Sequence, residues 1–447
     1  MTDLAALTTT LLGAAKKAGA GAADAIATEG ASLSINVLAG KLEHAERAEG
    51  VEIGLRVLIG KRQACVSASD SSEETIATVA ERAVEMAKLA PEDPYVGLAD
   101  ADQLAADWDL AALELSEDAP EPDPAELQEL ASRAEAAALA LDGITQADSV
   151  AAGYSRSAIH LAATNGFAGG YSRTSHGLSC VAITGSGTSM ERDYFGDSRI
   201  FREDMTDADE VGRIAGERTL ARRGAKKPPT GAYPVLYDER IASGLIGHLT
   251  QATNGMMVAR GSSWLRDRLG QQVLPKGLSI TEDPHLPRIS GSRPFDAEGL
   301  QTRRRMIVDD GILTGWTLDL ATARQLGLES TANAARGTGS PPMPRTGNIA
   351  LTESTKSRDD LIRETGTGFL VTSLIGSAIN PTTGDYSRGA SGFWIDNGEI
   401  TYPVNECTIA GNLHDMLASI RPANDARHHL GRVVPSLLVE GLTIAGE

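Results

Sequence analysis

The sequence has few cysteines, no excess of positive charge and no long apolar run. Its 3 cysteines lie far apart and without CxxC spacing, which argues against a disulfide framework and against a zinc site built on paired cysteines. The net charge of -19 argues against a nucleic-acid surface, which needs clustered Lys and Arg. No run of about 18 apolar residues occurs, so we expect no membrane span. The first residues also lack the pattern of a signal peptide, and we expect a cytoplasmic protein.

The length of the chain and a proline-containing connection predict two domains. A chain of 447 residues is too long for one ordinary core. The segment from Gly224 to Gly231 contains paired prolines, which stop a helix and favour an extended connection. We therefore predict an N-terminal α+β domain at residues 1–225 and a C-terminal β-rich domain at residues 226–447.

The N-terminal half predicts an antiparallel sheet flanked by helices. Apolar residues from Leu4 to Ala15 recur at helical spacing. The period then changes to two in Leu33–Val37 and Val51–Val57, which predicts two strands joined by a polar connection. Further strands and helices are expected along this half: Gln63–Ser67, a helix after Ser72, Glu126–Leu141, Ile159–Leu161, Gly177–Thr184 and Asp207–Arg222.

Two segments are expected to lie outside the regular elements. Pro91 to Pro124 is acidic and rich in proline, and it is either a docking segment or a solvated excursion, of which the composition favours the excursion. Thr331 to Gly347 has few large apolar groups to pack, so we expect a mobile loop there.

The C-terminal half predicts a barrel-like β domain with embedded helices, because many short strands are separated by glycines. Its clearest element is a hairpin near the end of the chain. Phe393–Ile395 form an apolar run, Asn397-Gly398 supplies the two positive φ angles of a tight turn, and alternation resumes at Ile400. The predicted fold class is therefore α+β.

Residue chemistry alone does not identify an enzyme. The 8 histidines include no HExxH motif, and adjacent residues such as His428 and His429 rarely bind one metal. His285, close to Glu282 and Asp283, stays open as a weaker candidate for a metal ligand. No nucleophile elbow lies at a strand-to-helix turn, and no P-loop lysine follows the short glycine motifs.

The stretch from Thr383 to Asn412 closely resembles the matching block of the TldD/PmbA family, specifically its PmbA (TldE) branch. The likeness extends over nearly the whole chain, through Gly50–Asp70, Ile241–Leu249, Leu274–Leu286, Pro294–Gly299, Asp310–Thr314 and Gly366–Leu374. The resemblance implies one subunit of a cytoplasmic TldD–TldE metalloprotease that processes or degrades unfolded peptides. The family also carries the label of modulator of DNA gyrase.

One departure from the family pattern decides the expected role. The catalytic branch carries His-Glu-x-x-x-His on a helix, with two zinc ligands and a general base, and that motif falls on Ser243, Gly244 and His248 here. Only His248 keeps an imidazole, and no cysteine follows Cys407 to replace the branch's further ligand. We therefore expect no catalytic residue, no metal ligand and no cofactor in this chain, with zinc in a TldD-like catalytic partner.

The closing hairpin carries the candidate contacts with peptide or partner: Asp385, Tyr386, Ser387, Arg388, Phe393 and Trp394. An extended peptide could be held there by strand addition. For Phe393 and Trp394 the alternative of core packing is favoured. The second functional hypothesis is a stand-alone homodimer that binds peptides or acts as an adaptor, in the sense of a gyrase modulator. Under either hypothesis we expect no direct nucleic-acid contact and no membrane contact, and the isolated chain could form a homodimer.

Overall fold

The computed structural model describes residues 2–446, without the side chain of residue 377. Within this range the α-helices are α1 (Leu4–Ala18), α2 (Glu73–Leu89), α3 (Leu110–Leu113), α4 (Pro124–Leu139), α5 (Ala208–Ala221), α6 (Glu239–Ala252), α7 (Gly255–Ala259), α8 (Leu320–Leu326), α9 (Arg358–Thr365) and α10 (Leu413–Ala418). The strands are β1 (Ala22–Leu38), β2 (Lys41–Ile59), β3 (Arg62–Ala68), β4 (Ile144–Ala163), β5 (Ala168–Thr184), β6 (Glu191–Arg199), β7 (Gly231–Tyr237), β8 (Ile280–Glu282), β9 (Arg305–Asp309), β10 (Ile312–Leu313), β11 (Ala334–Ala335), β12 (Met343–Pro344), β13 (Ile349–Leu351), β14 (Gly368–Ile379), β15 (Asp385–Asp396), β16 (Glu399–Asn412), β17 (Arg421–Pro422), β18 (Arg432–Val433) and β19 (Leu437–Ala445). No helix among the described residues is long and apolar enough to cross a membrane.

The first six strands form one antiparallel sheet in the order β3-β2-β1-β4-β5-β6. β1 and β2 pair from their ends to the Ala39-Gly40 turn, where both residues have positive φ. The polar segment that we predicted as a connection is therefore itself part of the hairpin. The first ten residues of β2 are exposed, so the alternation of apolar and polar residues that signals a strand is missing there.

The four long N-terminal helices pack on one face of this sheet. On β1, the odd-numbered residues from Ala23 to Ala27 pack with α1 and α2, and those from Leu33 to Val37 pack with α4 and α5. The opposite face carries Asp24 and Ile26 and is turned toward the C-terminal half, where Ile26 shares a cluster with Phe295. The sheet thus has one helix-covered face and one face between the two halves of the molecule.

The C-terminal half contains a closed five-stranded barrel. Its strands follow the order β16-β15-β14-β7-β19, and β19 pairs back onto β16. A smaller sheet, β10-β9-β8-β13-β18, lies beside it. Leu245, Ile246 and Leu249 of α6 share one core with Phe369 of the barrel and Ile307 of the smaller sheet. The predicted α+β class, with a barrel-like C-terminal domain and embedded helices, is confirmed.

The predicted hairpin turn is also present. Asn397 and Gly398 have φ angles of 52° and 77° and join β15 to β16. On β15, Tyr386, Ala390 and Trp394 point into the barrel core, where the Trp394 ring packs edge-to-face on Tyr233 with ring centroids 5.0 Å apart. Phe393 points the other way and packs with the apolar residues of α9 on the outside.

The acidic segment from Pro91 to Pro124 packs against the rest of the molecule. The interpretation favoured from its composition, a solvated excursion, was therefore wrong. The Trp108 ring lies 5.0 Å from that of Phe295 and 6.1 Å from that of Phe167, measured between centroids. The Ala105 amide donates to the Gly299 carbonyl at 2.9 Å. The segment therefore ties the N-terminal sheet to the C-terminal half through a few apolar side chains, which its acidic composition concealed.

The segment from Thr331 to Gly347 packs against the N-terminal sheet, contrary to the expected mobile loop. Arg336 forms a buried ion pair with Asp24, which Arg56 also contacts at 2.6 Å. A Cβ atom at Gly54 would lie 2.1 Å from the Thr338 carbonyl oxygen, so the two backbones are in close contact. The segment is held by charge and backbone contact, and the search for large apolar residues could not detect this.

Candidate functional site

A cavity of about 1100 Å³ lies between the N-terminal sheet and the barrel. Strands β4 to β6 form one wall, and α6, β14 and β15 form the other. Ser243 and Gly244 of α6 and Arg388 of β15 line this cavity. The structure therefore brings together two positions of the degenerate metal motif and one residue of the closing hairpin.

The N-terminus of α6 directs the two motif positions toward the cavity. Asp238 caps the helix by accepting a hydrogen bond from the Arg240 amide at 3.2 Å. A Cβ atom at Gly244 would meet no atom within 4 Å, and Gly244 has no positive φ. Neither space nor backbone geometry requires glycine there, so the position is open to the cavity.

His248 lies in a different pocket. This pocket measures about 220 Å³ and is lined by His248 with Gln251, Trp264 and Pro381. Five residues advance a regular helix by about 500°, which turns His248 away from Ser243 by roughly 140°. The His248 ring packs edge-on against Tyr386, with centroids 5.9 Å apart. Burial and then the positive charge of Arg388 lower the pKa of His248 below its usual 6.5, so the imidazole is neutral at pH 7.

The residues present do not fit a zinc ion of the kind the catalytic branch holds. Ser243 and Gly244 offer no imidazole or carboxylate, and His248 does not line their cavity. The Cys407 thiol donates to the Ala390 carbonyl at 3.2 Å, and burial raises its pKa to about 11, which disfavours the thiolate that binds zinc. Among residues 2–446, no three His, Cys, Asp or Glu side chains form a group that could hold a metal ion.

His285, the weaker metal candidate, has a structural partner. Its Nε2 lies 2.9 Å from Thr302 Oγ1, and its amide donates to Asp283 at 2.9 Å. The side chain therefore takes part in a loop hydrogen-bond network.

Paired charges join the two halves at the cavity wall. Asp193 of β6 contacts Arg240 of α6 at 3.2 Å and Arg222 at 3.6 Å. Arg240 also contacts Asp238 at 3.0 Å, and Arg222 lies 3.5 Å from Glu191. Of these pairs only Asp193–Arg240 crosses between the halves, and no sequence spacing links its two members, so sequence alone could not reveal it.

Arg388 differs from Arg222 and Arg240, the other half-buried arginines of the cavity, because it is unpaired. Within the described part of the chain, no residue accepts a hydrogen bond from it or forms an ion pair with it. Its Nε is buried without a partner, while the residue as a whole is half-buried at the cavity wall. The hydroxyl of Thr372, also in this wall, is likewise buried without a partner. Arg192 also lines the cavity without an ion pair among the described residues, but it is exposed. Arg388 is therefore the half-buried arginine of this lining that lacks a counter-charge.

The other hairpin candidates lie elsewhere. Tyr386 and Trp394 are 3% and 5% exposed in the barrel core, and Phe393 packs outside the barrel. Asp385 is exposed and accepts hydrogen bonds from Thr383 and Asn412, which lower its pKa. Ser387 is half-buried, and it alternates with Tyr386 and Arg388 and so points outward from the barrel. Of the six, only Arg388 lines the large cavity, and contact of the others with peptide or partner stays a prediction.

The inner face of β5 leads into the large cavity. Val181 and Ile183 line it, whereas Ser175, Gly177 and Ser179 on the same face line an adjacent cavity of about 580 Å³. The face thus runs from Ser175 to Ile183, a length of roughly 26 Å at about 3.3 Å per residue.

Three models of one family match the chain. They are described as PmbA/TldA metallopeptidase domain 1 at residues 23–87, the central domain at residues 117–223 and the C-terminal domain at residues 230–446. The first two matches fall within the single N-terminal sheet and its helices. Our division at residues 225 and 226 lies between the last two matches, and it stays a prediction.

Similar proteins cover nearly the full length. Metalloprotease PmbA of Escherichia coli O157:H7 is 38% identical over 93% of this chain and 90% of its own length. A solved structure from Bacteroides thetaiotaomicron, described as a candidate modulator of DNA gyrase, is 26% identical with a TM-score of 0.91, covering 99% of this chain and 98% of that one. TldE from Thermococcus kodakarensis has a TM-score of 0.84 at 19% identity, covering 98% of this chain and all of that one, which shows the shared fold.

Proposed function

Because this chain belongs to the PmbA/TldA metallopeptidase family, we propose that it is a non-catalytic, TldE-like subunit of a TldD–TldE metalloprotease. One observation carries the proposal. At the positions where the catalytic branch holds a zinc ligand and a general base, this chain presents Ser243 and Gly244 to an open cavity. The cavity keeps the space of an active site without its metal donors.

In this proposal the chain holds peptide and its partner cuts it. The large cavity and the β5 face offer a long trough, which suits an extended, unfolded chain better than a folded protein. A TldD-like subunit supplies the zinc and completes a chamber around the peptide. The complex works in the cytoplasm, and the natural substrates are unfolded peptides.

The test measures zinc content and peptidase activity for this chain alone, for its TldD-like paralogue alone and for the mixture. An unstructured fluorogenic peptide serves as substrate. We expect less than one tenth of a zinc per chain and no cleavage for this protein alone, and cleavage by the mixture. The matched control is a mixture in which the Glu of the paralogue's own motif is changed to Gln, which should be inactive. Stoichiometric zinc and cleavage by this chain alone would overturn the proposal.

A second candidate is a stand-alone homodimer that binds peptides or acts as an adaptor. It is supported by the location of the large cavity, which is formed within one chain and needs no partner residue. Light scattering and peptide binding by the isolated chain distinguish the two. A stable homodimer that binds peptide, yet neither joins the paralogue nor raises its activity, favours this second function.

A further inference from the structure

Arg388 has the position and the missing counter-charge that are expected of a residue that binds an anionic ligand. It lines the cavity from β15, together with Arg222 and Arg240, whose charges are already matched by Asp193, Asp238 and Glu191. An unpaired guanidinium that is half-buried carries a desolvation cost that no described residue offsets. Such a cost is expected where a ligand completes the pairing.

We propose that the guanidinium of Arg388 binds a carboxylate of a peptide held in this cavity. Arginine and carboxylate form short, bidentate, charge-assisted hydrogen bonds, and the guanidinium stays charged at all physiological pH values. The inference rests on the proposed function only in taking peptide as the ligand. It does not require a partner subunit or zinc.

The surroundings favour a singly charged carboxylate over a phosphate group. Asp148 also lines the cavity and has no ion pair among the described residues, so it would repel a dianion more strongly than a monoanion. Most of the apolar lining is aliphatic (Val181, Ile183, Ile241 and Leu374), and it suits peptide side chains. A carboxylate at Arg388 leaves the rest of the peptide free to follow the β5 face.

The carboxylate has two sources, the C-terminus of the peptide or an acidic side chain. The experiment uses three dye-labelled, unstructured eight-residue peptides made of small and aliphatic residues. The first has a free C-terminus, the second is amidated, and the third is amidated with one internal Asp. Fluorescence anisotropy measures their dissociation constants for the wild type, Arg388→Gln, Arg388→Lys and Arg303→Gln. Arg303 is exposed and outside the cavity, so its variant removes the same charge without touching the site.

We expect the wild type to bind at least one carboxylate peptide on the order of tenfold or more tightly than the plain amide. Preference for the first peptide identifies the C-terminus, and preference for the third identifies an acidic side chain. Arg388→Gln should abolish the difference, Arg388→Lys should keep part of it, and Arg303→Gln should leave it unchanged. Because the unpaired charge is costly, Arg388→Gln should also melt at the same temperature as the wild type or higher.

The inference is overturned if the wild type binds acid and amide peptides equally, or binds none of them, either alone or mixed with the paralogue. It is also overturned if Arg388→Gln keeps the discrimination. A failure of the proposed subunit function would look different. The mixture with the paralogue would then show no peptidase activity, while this chain would still bind peptide.

Discussion

Arg336 in the C-terminal half and Asp24 in the N-terminal sheet form an ion pair across the two halves, with side chains 0% and 5% exposed. Arg56 contacts the other oxygen of Asp24 at 2.6 Å. Burial by itself would raise the pKa of Asp24, but the charges and hydrogen bonds of Arg336 and Arg56 outweigh it and lower the pKa below 3.8. One carboxylate therefore fixes the 331–347 segment on the sheet.

Replacing Asp24 by Asn should leave two buried guanidinium groups without their counter-charge. We expect Asp24→Asn to lower the free energy of unfolding by about 3–5 kcal/mol, measured by urea denaturation. Arg47→Gln is the control, because Arg47 pairs with Glu49 and Glu121 at an exposed position, where an ion pair contributes little to stability. Equal effects of the two variants would mean that the buried pair does not join the halves.

The same carboxylate gives a dependence of stability on pH. Because the folded-state pKa of Asp24 is lower than its unfolded value of 3.8, its contribution is present above pH 3.8 and is lost as the pH falls through the folded pKa. The difference in unfolding free energy between wild type and Asp24→Asn should therefore be constant from pH 5 to 7 and shrink below about pH 3.8. A difference that grows in acid would contradict this sign.

Two glycines on β2 test the backbone contact between the halves. A Cβ atom at Gly54 would lie 2.1 Å from the Thr338 carbonyl oxygen, whereas one at Gly50 meets no atom within 4 Å. We expect Gly54→Ala to cost about 1–3 kcal/mol and to expose Arg336 to trypsin. Gly50→Ala should be neutral or stabilising by up to about 1 kcal/mol. Equal tryptic resistance of the two variants would disprove the close contact.

His248 should report the charge of Arg388. Burial is the larger cause of its lowered pKa and Arg388 the smaller. In Arg388→Gln the pKa of His248 should therefore rise, yet remain below 6.5, in an NMR titration of its ring protons. Arg303→Gln should leave the titration unchanged. A His248 pKa that is the same in wild type and Arg388→Gln would show that the two side chains are not close.

Local chemistry made much of the fold predictable. The Asn397-Gly398 turn, the Ser72 cap of α2 and the alternation in Leu33–Val37 each follow from a rule that acts over a few residues. The exposed half of β2 could not be predicted from its own sequence, because only backbone pairing with β1 makes it a strand. The packing of the 331–347 segment escaped prediction because its buried group is a charge whose partner is about 300 residues away.

The site was predictable only in part, for a related reason. Ser243 and Gly244 were found through a motif that occupies six consecutive residues. Arg240 and Asp193 come from different halves and meet only in the folded chain. Arg388 was one of six residues in a candidate list, and only the structure separates it from buried Tyr386 and Trp394.

Restoring the lost motif should not restore a metal site. In Ser243→His with Gly244→Glu, the new imidazole faces the large cavity, while His248 lines another pocket and Cys407 is buried against Ala390. Zinc needs three or four converging donors, so we expect the double variant to hold far less than one zinc per chain after dialysis. The free energy of unfolding should change little upon adding zinc, and the paralogue is the positive control for the zinc assay. A double variant that binds one zinc per chain and cleaves peptide would mean that this chain lost catalysis at only these two positions.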